Sequence, residues 1–348
     1  MVRTTRAAPD ESPRPGLQGE HRWVITSKPK AASPKPASRR PVQTQQATLA
    51  ARRYFIDGWT IKQIASELGV SRFKAARLLD WGRAEGIVKI EIVNTARVDV
   101  DLSTGLKAMF GLREAVVVAA LDGPAGAVGP DLSEVAALVV AEVVAPNDVI
   151  GVSWGRTLDL VADRLANFQA KSVIQLVGGF VTLESASGGI ELVRQLATKA
   201  GTAGYPMLAP LRVSDPVAAN ALRRDPVVSK TLELMEQVTV VLAGVGSWGE
   251  PPASRMIECF DKSEVRALRR RGVVADLCGF LITNKGEVIG PPEGERIGVS
   301  LAQLEAAKTV LAVCGGAEKR QALAGTLRSG LVDILVTDAG SAEELLGA

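Results

Sequence analysis

The hydrophobic pattern of the chain changes twice along its length. Up to about residue 43 the apolar positions have no lasting period. From about Gln45 to residue 93 they recur at helical spacing. From Ala115 onward, continuous Val/Ile/Leu runs alternate with amphipathic segments. The runs at 115–121, 148–153, 172–177, 238–244, 309–314 and 332–337 predict strands. Helices are predicted over 131–145, 156–168, 187–200, 226–236, 261–271, 317–329 and 340–347. Unbroken apolar strands separated by helices imply a largely parallel sheet covered on both faces. Ligands of such sheets sit beyond the strand C-terminal ends. The loops to watch are therefore Ser153–Thr157, Gly178–Gly179, Gly244–Gly246, Gly315–Lys319 and Thr337–Asp338.

The helical front has its own grammar. Leu49, Tyr54 and Phe55 are apolar positions of a first helix, and Gly58 punctuates it. Thr60 is placed to cap a helix whose Ile61, Ile64, Ala65 and Leu68 share one face. Gly69 permits a sharp turn, Val70 turns inward, and Ser71 caps a second helix with Ala75, Leu78 and Leu79 facing in. This predicts a helix-turn-helix with Ser71, Arg72, Phe73, Lys74 and Arg77 toward a DNA groove. Arginines donate to phosphates or guanine edges, and a phenylalanine touches a thymine methyl. Any amphipathic helical hairpin gives part of this pattern. Residues 86–92 alternate like a strand and predict a wing. Residues 94–114 read as a linker. Their stripe of Val98, Leu102, Leu106 and Met109, interrupted by Gly105, suits packing on the next domain or a subunit contact.

Composition sharpens this. The 348 residues suggest two or three units, and 47% hydrophobic content supports a substantial core. Residues 1–93 hold 17 Lys+Arg against 8 Asp+Glu, while the rest holds 24 against 30. A basic front and an acidic body point the front toward a polyanion, or leave it a solvated tail. Residues 1–43, rich in Pro, Ser, Ala, Arg and Lys, are expected to be a disordered basic tail. His21, the single histidine, falls there, so histidine catalysis and histidine metal sites are not expected in the folded body. Three unclustered cysteines, 259, 278 and 314, fit a reducing cytoplasm and no metal. No membrane span or signal segment is expected.

The most chemical stretch is DVIGVSWGRTLD, residues 148–159. A strand, a small-residue turn and a helix start offer backbone N–H groups, a hydroxyl and a guanidinium to one anion. Ser153, Gly155, Arg156 and Thr157 suit phosphate oxygens, or the turn is simply tight. Gly178 and Gly179 line a ligand floor or turn the chain, and Gly246 reads the same way. Asp276 accepts sugar hydroxyls or a structural hydrogen bond. Asp338 fits best as a helix cap.

Several blocks carry a resemblance: DVIGVSWGRTL, VIQLVGG, VTVVLAGVGSWG, GVVADLCGF and VLAVCGGAEKRQALAGTLRSGLVDILVTD. In this order, over residues 45–93 and 98–346, they resemble the SorC family of sugar-responsive transcription regulators. The resemblance implies an α/β fold class. An N-terminal winged helix-turn-helix (44–93) precedes a Rossmann-like, mostly parallel effector domain (115–348) similar to sugar-phosphate isomerases and deaminases. It implies double-stranded operator DNA and a phosphorylated sugar or polyol as partners, a homodimer or homotetramer, a cytoplasmic location and no cofactor. It marks Lys319, after Gly315–Gly316, as the family's phosphate-contacting lysine. Two departures stand out: Ala275 replaces a frequent glycine before Asp276, and Leu281–Asn284 replaces a pocket-shaping aromatic-acidic stretch. The alternative function is an isomerase or deaminase using Asp276, Glu258 and Lys319. The sequence offers it no compact acid-base cluster.

Overall fold

The computed structural model describes residues 40–90, 97–119, 128–179, 189–290 and 295–347. The expected tail lies outside these residues except for its last few positions. The chain divides into two compact units, Met1–Val93 and Asn94–Ala348.

In the first unit, α1 (Pro41–Phe55) starts with proline in its first turn, slightly earlier than the hydrophobic pattern suggests. Proline lacks the N–H that would be orphaned there anyway. The Thr60 hydroxyl accepts from the Gln63 amide, and the Gln63 side chain accepts from the Thr60 amide, fixing the start of α2 (Ile61–Glu67). Gly69 takes φ +62°, and the Ser71 hydroxyl accepts from the Lys74 amide at 3.2 Å to start α3 (Arg72–Ala84). Ile64, Ala65, Ala75, Leu78 and Leu79 are buried together against Ala47, Ala50 and Ala51 of α1. The described part of the predicted wing, residues 86–90, forms no strand. Ile87 and Val88 both pack back onto this core instead of alternating, and the Val88 amide donates to the Gly82 carbonyl. Glu91 and Ile92 lie outside the described residues.

The second unit begins earlier than predicted. Residues 100–110, assigned to a linker, form α4 (Val100–Phe110), capped by Asp99 and closed by left-handed Gly111. Leu106 is fully buried in the main core. At Gly105 a Cβ would lie 2.9 Å from the Leu346 side chain, so the glycine is where α4 meets α13 (Ala339–Leu346).

Among the described residues, seven strands form one parallel sheet: β1 (Glu114–Val118), β2 (Val149–Val152), β3 (Ser172–Gln175), β4 (Ala203–Tyr205), β5 (Val240–Ser247), β9 (Thr309–Val313) and β10 (Ile334–Asp338). Their order is β1-β10-β9-β5-β2-β3-β4. Alternate side chains enter two cores on opposite faces: Val241, Ala243, Val310 and Ala312 on one, Ile150, Val152, Leu242 and Leu311 on the other. That two-sided burial is why the strands read as unbroken apolar runs. The predicted strands all form, within a few residues at their ends.

The sequence pattern did not announce an antiparallel arm. Gly244 closes the parallel part of β5, and Val245–Ser247 pair instead with β6 (Val273–Leu277). β7 (Phe280–Thr283) and β8 (Val288–Ile289) continue the arm. Leu281, Ile282 and Thr283, expected near a pocket, are buried strand residues. Among the described residues no helix is long and apolar enough to cross a membrane.

Candidate functional site

The strand order reverses direction at β2. From β2 the chain steps outward to β3 and β4, then returns to β5 on the other side. A crevice opens beyond the strand ends at such a switch point. Ser153, Gly155, Arg156 and Thr157 after β2, Gly246 on β5, Asp276 on β6 and Lys319 after β9 are the candidates around it. Ser153 is buried and its hydroxyl accepts from the Gly244 amide at 3.3 Å, tying the β2 turn to the end of β5. The Ser247 hydroxyl donates to the Glu318 carbonyl at 2.8 Å, tying the end of β5 to the turn after β9. That turn, Ala317–Lys319, leads into α12 (Arg320–Arg328). β2, β5 and β9 are neighbours, so the turns after β2 and β9 lie about 10 Å apart across the sheet.

Both turns are built alike. Gly155 (φ 143°, ψ 152°) precedes α6 (Arg156–Arg164), and Gly316 (φ 103°, ψ 144°) precedes Ala317–Lys319. Only glycine adopts this backbone readily. Neither helix start has a side-chain cap. By contrast Thr60, Ser71, Asp99, Asp261 and Asp338 cap theirs with a side chain. A first turn without a side-chain cap keeps its N–H groups available to an anion. Arg156 is exposed at the first position of α6, with Thr157 half-buried beside it. Lys319 closes the other turn, half-buried. The Asp338 carboxylate accepts from the Gly316 amide and caps α13 at Ser341, as its cap role predicts.

Asp276 faces the same place from β6. It is buried, and Gly246 opposes it so closely that a Cβ there would lie 2.2 Å from Oδ1. The Trp248 indole N–H donates to Oδ1 at 2.9 Å, and the Ser254 hydroxyl donates to the same oxygen. Burial pushes the Asp276 carboxyl above the usual carboxylate range, while the hydrogen bonds from Ser254 and Trp248 and the Lys319 charge oppose the shift. Trp248 and Ser254 are neighbours of Asp276 that the sequence reading missed. They reach Asp276 across 28 and 22 positions with no local signal.

Gly178 and Gly179 follow β3, the parallel neighbour of β2. A Cβ on Gly178 would meet the Pro210 backbone at 2.4 Å. Gly179 exchanges backbone hydrogen bonds with Ala209 and Leu211. Close chain crossing accounts for Gly178.

In the first unit, Ser71, Arg72, Phe73, Lys74 and Arg77 all lie exposed on or before α3. Phe73 is 85% exposed, an unusual state for a phenylalanine beside a packed core.

The profile of a family described as "Putative sugar-binding domain" matches residues 95–347. The chain belongs to this family of SorC-like sugar-binding regulators. It is 27% identical over 309 residues to the deoxyribonucleoside regulator of Bacillus subtilis (strain 168), covering 87% of this chain and 98% of that protein. It is 29% identical over 301 residues to the transcriptional regulator LsrR of Enterobacter sp. (strain 638), covering 84% and 90%. Among solved structures, the full-length sorbitol operon regulator SorC from Klebsiella pneumoniae matches with TM-score 0.66 and 27% identity, over 87% of this chain and 99% of that one. These relatives are named as regulators, and the chain is a regulator of this kind rather than an enzyme.

Proposed function

We propose that this regulator binds operator DNA through its N-terminal helix-turn-helix, under the control of a phosphorylated sugar or polyol held in the α/β unit. The observation that carries the reading is the pair of glycine-hinged helix starts without side-chain caps after β2 and β9. Each has a cation beside it, Arg156 and Lys319, at the switch point of the sheet. Two helix N-termini and two cations suit a phosphate. Asp276, desolvated and held by Trp248 and Ser254, suits sugar hydroxyls as an acceptor. Ser153 and Gly246 serve the site by closing β2 and β5 around it.

The effector acts only if it binds one conformation of the protein better than another. The regulator works as a homodimer or homotetramer, because paired recognition helices read two half-sites. Calorimetric titration tests the phosphate half of the reading. Thermal-shift screening of phosphorylated sugars and polyols first finds a stabilising ligand. That ligand is then compared with its dephosphorylated form. Much tighter binding of the phosphorylated form supports the cradle, and equal binding rejects it.

A further inference from the structure

The first unit carries a groove of about 720 Å³ between the start of α1 and the outer side of α3. Arg40, just before α1, and Gln43 and Gln46 of α1 line one side; Lys74, Arg77 and Trp81 line the other from α3. Pro41, Val42 and Leu78 complete the wall. The two helices run alongside each other. Ala47 lies 3.8 Å from the position a Cβ would take on Gly82, and the residues before Ala47 face those before Gly82. The first turn of α1 therefore sits beside the first half of α3.

We infer that this groove is a second DNA contact, in which Arg40 at the N-cap of α1 and Gln43 and Gln46 of α1 join Lys74 and Arg77 of α3 to hold the sugar-phosphate backbone flanking the major groove. The inference rests on the DNA-binding reading above. Three observations favour DNA as the occupant. Three cations line the groove and no carboxylate does, among the described residues. The glutamines add neutral donors for phosphate oxygens, and Trp81 with Leu78 gives an apolar floor for deoxyribose. Lys74 and Arg77 also belong to the exposed recognition face with Arg72 and Phe73, so the groove continues that face. A recognition helix enters DNA with its N-terminal residues, which brings the start of α1 to the adjoining backbone.

A backbone contact carries no sequence information and is paid in released counterions. The test therefore uses a random-sequence duplex of about three helical turns and the full-length protein. Fluorescence anisotropy gives the dissociation constant across a salt series. The variant is the double substitution Arg40→Gln with Lys74→Gln, both at exposed positions. Lys171→Gln, exposed in the α/β unit, is the control. Losing two phosphate contacts should flatten the slope of log affinity against log salt by about 1.8. A fourfold rise in salt should then weaken the wild type about 12-fold more than the variant. Lys171→Gln should keep the wild-type slope. A wild type that binds and a double variant with an unchanged slope overturn this inference alone. The same holds if the variant instead alters sedimentation, which would assign the groove to a protein segment. A wild type that binds no duplex overturns the DNA-binding reading and this inference with it.

Discussion

At the scale of single residues, the proposed cradle rests on two cations that contribute differently from Asp276. If the cradle holds a phosphate, Arg156→Ala and Lys319→Ala each remove a charge-assisted hydrogen bond to it. Each should weaken a phosphorylated ligand by about 1.5–3 kcal/mol, roughly 10- to 150-fold. Calorimetry should show this, with DNA affinity in the absence of effector unchanged. Asp276 is the opposite case, because burial raises its folded-state pKa. The folded protein then holds a proton that the unfolded chain releases near pH ~3.9. The stability from that proton is fully present below the unfolded pKa and is lost as pH rises through the raised folded value. Asp276→Asn should remove this pH-dependent loss. Thermal melts from about pH 4 to neutrality should fall more steeply for wild type than for the variant. Parallel curves would mean that Asp276 titrates normally.

At the scale of elements, the glycines separate structural positions from ligand positions. Gly178→Ala pushes a Cβ into the Pro210 backbone and should cost about 1–3 kcal/mol of stability, read as a lower unfolding midpoint. Gly155 has open space where its Cβ would point, so its substitution strains only the backbone of the β2 turn. The parallel sheet was legible in the sequence because burial on both faces writes each strand as a continuous apolar run. The helix-turn-helix was legible because Thr60, Gly69 and Ser71 are local signals for caps and turns. β4 and β8 were not legible, being three and two residues long. Nor was the fold-back of Ile87 and Val88, which depends on packing against α1 and α3 rather than on any period. Within the site, the two glycine turns and Asp276 stood out as motifs. The clasp of Trp248 and Ser254 on Asp276 did not, since tertiary folding alone brings them together.

At the scale of the whole molecule, recognition and assembly are linked. Arg72→Ala should weaken specific operator binding by about 1–3 kcal/mol if the guanidinium reads a base, while leaving effector affinity intact. A helix-turn-helix pair reading half-sites about one helical turn apart calls for a symmetric assembly. Sedimentation at micromolar concentration should show at least a dimer, with or without DNA. A strict monomer in both conditions would remove the paired-helix account.

In the proposed function, occupancy of the site between β2, β5 and β9 changes what the helix-turn-helix does. The most direct measurement is operator affinity, by anisotropy, with and without a saturating phosphorylated ligand taken from the thermal-shift screen. Binding linkage requires the same factor in reverse, so ligand affinity is measured with and without operator. The account predicts a matching change of about 5- to 150-fold in both affinities, lost in Lys319→Ala. A ligand that binds tightly yet leaves operator affinity unchanged would contradict it.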